Sequence, residues 1–171
     1  MPQPRDNTQF DDRIKAAHSL FLLPFDWRLA KAQLIAESKL LPSAKSGAGA
    51  MGLAQFMPNT WADVVRALHM PSDSSPYDAS AAIKCHAYYM AKILSKWTAP
   101  RPEIDRYCLA LASYNAGIGN VLKAQNRAGG SNDYKIVISQ LANVTGADNS
   151  KQTRDYVQRI LTEWQAMILG F

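Results

Sequence analysis

Apolar residues recur along this chain at helical rather than strand spacing. Phe10, Ile14, Ala17 and Phe21 fall on one helical face, and Pro24 ends that segment. Asp26 is placed to cap a second helix, from Trp27 to about Ser38. Residues 42–56, rich in Gly, Ala and Ser, predict a compact loop, and a third helix runs from about Asn59 to Leu68. Turn residues at 70–77 lead to Asp78, which can cap a fourth helix over roughly 79–97. After Pro100 and Pro102 a fifth helix covers about Glu103 to Ser113, and a short one follows Gly117 to about Asn126. Beyond the turn at Gly129, Gly130 and Ser131, two more helices are expected near 132–142 and 150–168. Alternation of the strand type is nowhere sustained, and no repeat, low-complexity block or linker interrupts the pattern. The expectation is a single all-α domain over residues 1–171.

Composition adds bounds. A chain of 171 residues can bury a core without staples, and its 47% hydrophobic and 19% charged residues argue against disorder outside the first few positions. The formal charge of +5 favours polyanionic partners such as nucleic acid, anionic lipid or the acidic bacterial envelope; mere solubility is the alternative. Lys and Arg are scattered, densest at Arg13/Lys15, Arg28/Lys31 and Lys151/Arg154, and no basic run carries interleaved aromatics, so nucleic-acid binding is not expected. Cys85 and Cys108 sit among apolar neighbours and read as buried free thiols, with a disulfide as the alternative. His18, His69 and His86 lack metal-ligand spacing, so neither a metal nor another cofactor is expected. The opening Met-Pro-Gln-Pro-Arg-Asp-Asn lacks the basic-then-apolar form of an export signal, and the stretch Ser19–Phe25 is too short to span a bilayer. A monomer is expected.

Three segments carry candidate chemistry. Glu37 continues the stripe of Trp27, Ala30 and Leu34 at the end of the second helix. A carboxyl against an apolar wall has its charged form disfavoured, which is how a carboxylic acid becomes a general acid near neutral pH; a solvated Glu at a frayed helix end is the alternative. The loop from Ser46 to Gln55 holds Gly47, Gly49 and Gly52, which permit positive φ and close backbone approach. It lacks the spacing of a phosphate loop. In Ala112-Ser113-Tyr114-Asn115-Ala116-Gly117, Asn115 and Gly117 suit a helix end, and Tyr114 alone reads as an ordinary core aromatic.

Together these segments closely resemble the soluble lytic transglycosylase (SLT) family, a branch of the lysozyme-like fold. The family's Glu-Ser, seven residues, Ser pattern is met by Glu37-Ser38 and Ser46, and its Gly-Ala-x-Gly-Leu-Met-Gln-x-Met-Pro-x-Thr run by Gly49 to Thr60 without a gap. Its Ala-Tyr-Asn-Ala-Gly is matched from Ser113 to Gly117, and its Glu-Thr-Arg-x-Tyr-Val from Gln152 to Val157; Asp78, Ile83 and Tyr89 resemble a middle motif. The departures are Leu40 for a common aromatic, Ala54 for Met, Ala79 for Pro, Ser113 for Ala and Gln152 for Glu.

The resemblance implies a lysozyme-like helical fold that cuts the glycan strands of peptidoglycan. Glu37 would be the sole catalytic acid/base. Ser46 would line the cleft and hydrogen-bond substrate, Gln55 would contact the N-acetyl sugar, and Gly49 and Gly52 would let the loop pass close to it. Tyr114 would orient the Glu37 carboxyl, Asn115 would fix its turn, and Tyr156 would approach from the last helix. One carboxyl suits a lytic transglycosylase, in which the sugar's own 6-hydroxyl closes a 1,6-anhydro ring, where most glycosidases need two. A hydrolytic muramidase would need a second acid, for which Asp63 and Asp78 are the candidates and have duller readings, an exposed helix acid and an N-cap. A rival of another class is a non-catalytic wall-binding or structural phage module. The expected settings are a phage endolysin held in the host cytoplasm before release, a virion-associated lysin, or a trimmed periplasmic bacterial enzyme. Trp164 to Phe171 is expected to pack on the core, with outer-membrane contact as the alternative.

Overall fold

The computed structural model describes residues 8–170; the opening read for an export signal, and Phe171, lie outside the described residues. Nine helices follow one another among those residues: α1 (Asp11–Phe21), α2 (Trp27–Ser38), α3 (Pro58–Ala67), α4 (Ala79–Leu94), α5 (Glu103–Ala116), α6 (Ile118–Arg127), α7 (Tyr134–Ser139), α8 (Ala142–Thr145) and α9 (Ala147–Leu169). The only extended pairings among them are isolated bridges, Lys45 with Met51 and Met51 with Phe56. The chain divides into two compact units, one made of the residues up to Tyr89 together with those from Ile160 onward, the other of Met90–Arg159.

In the first unit α1 packs on α2. Phe10, Ile14 and Ala17 are buried as the spacing predicts, while Phe21 is half-buried and meets the Tyr88 ring edge-on at 5.8 Å. The α2 cap is as expected: the Asp26 carboxylate accepts from the Arg28 backbone N–H at 2.9 Å, and also takes the Arg28 guanidinium and, at 3.2 Å, the indole N–H of Trp164. From Leu29 to Leu34 every α2 side chain is buried, Lys31 included. Its ammonium is matched by Asp11 Oδ1 at 2.7 Å and lies over the Trp27 ring, since a buried charge needs a partner. At the far end of the chain Trp164, Ala166 and Met167 are half-buried, but Ile168 and Leu169 are exposed. The expected packing of this segment therefore stops at its last turn.

In the second unit α5 packs on α6 and α7, and α6 on α7 and α8. Tyr107, Leu109, Leu111, Val121, Ala124, Val137 and Leu141 form its buried apolar set. The helix predicted over 132–142 is α7 alone, because tight turns at Gln140 and Leu141, bonded to Val137 and Ile138 three residues back, break the α pattern; α8, from Ala142 to Thr145, was not predicted. The helix predicted over 79–97 ends at Leu94, where Lys96 and Trp97 switch to the same i−3 bonding. Cys85 and Cys108 are free and buried; burial pushes their thiols up to about 11 and about 12, so neither is a ready nucleophile.

Candidate functional site

Glu37 is the penultimate residue of α2 and is half-buried. The helix stops directly after it through two consecutive left-handed residues, Lys39 (φ 57°) and Leu40 (φ 59°). Neither is Gly or Asn, so the chain-reversing bend had no sequence signal. Burial of Leu40, 4% exposed, supplies a reason for the strain: the bend drives this side chain into the core. Leu40 is thus a packing residue in the first unit.

The loop following that bend is fixed by its own polar groups. Ser38 donates its hydroxyl to Leu53 O at 2.8 Å, tying the last turn of α2 to the loop. Sequence reading gave this residue no role, although the Glu-Ser pair was the available signal. Ser46 accepts the Ala50 N–H on its hydroxyl at 2.9 Å, and its backbone N–H reaches Ala50 O, closing a tight turn. Gln55, itself left-handed at φ 48°, donates its side-chain N–H to Gly52 O at 2.9 Å and to Ala44 O at 3.4 Å. Gly49 has φ +91° with open space around it, so backbone conformation alone demands glycine. Gly52 is different. A Cβ there would lie 1.8 Å from Pro76 O, so the close approach this glycine permits is to the protein's own backbone. Ala54 is fully buried. Ser46, Gly49, Gly52 and Gln55 thus lie on one loop of the first unit, and Ser38 ties that loop to the last turn of α2, which carries Glu37.

Tyr114, Asn115 and Tyr156 belong to the second unit. Tyr114 is half-buried near the end of α5 and Tyr156 is buried on α9. The turn after α5 is held by Asn120, whose side-chain N–H donates to Ala116 O at 2.8 Å. Asn115 instead joins α5 to α9: its Oδ1 accepts the hydroxyl of buried Thr153 at 2.9 Å. Ser113 has a structural reason as well. It accepts the Trp97 indole N–H at 3.2 Å and donates to Leu109 O, a service Ala could not perform.

The two carboxylates considered as a second acid have other partners. Asp63 is exposed and pairs with Arg66 at 3.2 Å, and Asp78 caps α4 by accepting the Ala81 N–H at 2.8 Å. Of the basic spots, Arg28, Lys31 and Lys151 are each in an ion pair. No group of three or more His, Cys, Asp or Glu suited to a metal exists among the described residues. No helix there is long and apolar enough to cross a membrane.

A family model described as the transglycosylase SLT domain matches residues 24–137. The chain belongs to this family. The matched segment of the SLT domain contains Glu37, Ser46, Gly49, Gly52, Gln55, Tyr114 and Asn115; Tyr156 lies beyond it. Its relatives include the membrane-bound lytic murein transglycosylase F of Alcanivorax borkumensis, 32% identical over 131 residues, covering 72% of this chain and 27% of the relative. That of Shewanella pealeana is 33% identical over 116 residues, covering 68% and 23%. Among solved structures, the 70 kDa soluble lytic transglycosylase SLT70 of Escherichia coli superposes with a TM-score of 0.74 at 25% identity, over 94% of this chain and 24% of that one. An inactive mutant of lytic transglycosylase Slt from Pseudomonas aeruginosa gives 0.74 at 23% identity, over 96% and 25%. The SLT domain described here spans about a quarter of the length of such proteins.

Proposed function

We propose that this SLT domain is a peptidoglycan lytic transglycosylase, cleaving the β-1,4 bond between N-acetylmuramic acid and N-acetylglucosamine with Glu37 as its acid/base, and that residues 1–171 act as one catalytic domain. The observation that carries the reading is the position of Glu37: a half-buried carboxyl at a helix end, beside a loop locked by Ser38, Ser46 and Gln55, within the segment matched to the family. Glu37 donates its proton to the glycosidic oxygen as the bond to the anomeric carbon breaks. The muramic acid 6-hydroxyl then attacks that carbon and returns its proton to Glu37, which leaves the enzyme unchanged and the product with a 1,6-anhydro end. Because the nucleophile belongs to the substrate, proximity replaces a second carboxylate. Gln55 contacts the N-acetyl sugar and Ser46 the cleft-side hydroxyls; Gly49 and Gly52 shape the loop; Tyr114, Asn115 and Tyr156 support the site.

Hydrolysis as a muramidase is the second reading, and the engagement of Asp63 and Asp78 elsewhere weighs against it. The setting we propose is bacteriolytic, as a phage endolysin or virion-associated lysin; a periplasmic bacterial enzyme is the alternative. The test is mass spectrometry of muropeptides released from purified peptidoglycan. Products lighter by one water than reducing muropeptides, lost in Glu37→Gln by about 10²-fold or more, support the reading. Reducing ends make the domain a muramidase, and no release by the wild type removes the enzyme reading in favour of a wall-binding module.

A further inference from the structure

The formal charge of +5 lies wholly in the second unit. Residues 90–159 hold ten Lys and Arg against five Asp and Glu, and the rest of the chain holds nine of each. Part of this excess sits on two helices that pack on one another, α6 and α7. On α6, Val121 and Ala124 are buried, while Gly119, Leu122, Lys123, Asn126 and Arg127 are exposed at a spacing that puts them on one helical face. On α7, Val137 and Ile138 are buried, while Lys135, Ile136 and Ser139 are exposed.

Lys123, Arg127 and Lys135 are in no ion pair among the described residues. Two acids beside them are engaged by the backbone. Asp133 accepts the Ile136 N–H at 2.9 Å, and Asp105 accepts the Tyr134 N–H at 3.1 Å. A fourth cation, Arg101, is held to the turn between the helices by donating to Asn132 Oδ1 at 3.1 Å. Two large apolar side chains stand on the same helices, Leu122 at 37% exposure and Ile136 at 52%. Cations alone would suit any polyanion. A nucleic-acid surface would pair them with stacking rings, but Tyr134 is the one aromatic of the two helices and is half-buried. The interface of an anionic bilayer offers phosphates to Lys and Arg and an acyl boundary to Leu and Ile, which matches both halves of this surface.

We propose that the exposed face of α6 and α7 docks on the surface of an anionic phospholipid bilayer. Lys123, Arg127 and Lys135 meet the lipid phosphates, and Leu122 and Ile136 enter the acyl boundary. The contact is peripheral, since neither helix is long and apolar enough to cross a membrane. It involves no glycan, so it stands or falls apart from the proposed cleavage activity.

The test is cosedimentation of the whole chain with vesicles of mixed phosphatidylglycerol and phosphatidylcholine, compared with vesicles of phosphatidylcholine alone. Binding to the anionic vesicles and not to the neutral ones is expected. A variant with Lys123→Gln, Arg127→Gln and Lys135→Gln should bind more weakly by about tenfold or more. A variant with Arg13→Gln, Lys15→Gln and Lys84→Gln removes the same charge from the first unit and should stay within about threefold of wild type. Leu122→Ser with Ile136→Ser should weaken binding by about fivefold. Every changed side chain is half-buried or exposed at the surface, and circular dichroism checks that each variant keeps its helices. No binding to the anionic vesicles, an equal loss in the two triple variants, or binding unmoved by the Leu122 and Ile136 changes each overturns the proposal. Capture by a duplex oligonucleotide under conditions where vesicles stay unbound overturns it as well, and assigns the face to nucleic acid.

Discussion

Ser38 stands beside the proposed acid yet spends its hydroxyl on Leu53 O. Ser38→Ala would leave that carbonyl buried without its donor, at a cost of about 1–3 kcal/mol. Urea denaturation should show the loss, and muropeptide release should fall with it because the loop beside Glu37 loosens. The two loop glycines separate backbone strain from steric conflict. Gly49→Ala forces a Cβ residue to φ +91° in open space, while Gly52→Ala adds a contact at 1.8 Å to Pro76 O. The first should cost about 1 kcal/mol and the second at least about 1–3 kcal/mol more, read as a lower urea midpoint for Gly52→Ala. Sequence showed that glycines at these positions permit positive φ and close backbone approach. It could not show what Gly52 approaches, since the conflicting carbonyl lies 24 residues further on and only the folded loop brings it close.

Helix starts were legible in their caps, and the end of α2 falls at Ser38 as the spacing predicts, but the cause of that end was not legible. Asp26 and Asp78 each accept the backbone N–H that their cap positions predict, because a cap is local chemistry within three residues. The end of α2 depends on Leu40 being driven into the core through a left-handed bend, which is a tertiary cause. Asp26 also shows what a local reading misses, its bond from Trp164 on α9. Burial pushes its carboxyl up, but hydrogen bonds from the Arg28 side chain and backbone and from Trp164 outweigh this and hold it below its ordinary value of 3.8. A carboxyl lowered in the fold stabilises above its unfolded value and loses that contribution as pH falls through the folded one. Asp26→Ala should therefore cost about 1–2 kcal/mol at pH 7, and the gap from wild type in urea midpoint should narrow below about pH 4.

For the molecule as a whole, histidines set the response to mild acid. Burial pushes the His86 imidazole from 6.5 down to about 3, and burial likewise holds His18 below its ordinary value against the Phe25 carbonyl and Asp26. Between those values the unfolded chain binds protons that the folded one refuses, so stability is full above pH 6.5 and is lost as pH falls, by about 1.4 kcal/mol per unit for His86. The urea midpoint should drop between pH 7 and pH 5, and His86→Gln should flatten that slope. The +5 charge was legible from composition, but its distribution was not, since Arg28, Lys31 and Lys151 are matched by carboxylates. Activity on whole peptidoglycan should still fall with added salt, and gently, because long-range attraction rather than a concentrated basic patch carries it.

The first unit is interrupted: the chain leaves it after Tyr89 and rejoins it at Ile160. A nascent chain emerging from the ribosome therefore presents Asp26 long before Trp164 exists to bond it. At about 5–20 residues per second, the intervening stretch of about 70 residues takes several seconds to synthesise. Throughout that interval the α1–α2 pair and the loop beside Glu37 lack the segment that finishes their unit, whereas the second unit is already whole when its last residue emerges. Biosynthesis thus reverses the order of the sequence: the middle of the chain can settle first, and the part carrying Glu37 waits for the end of α9.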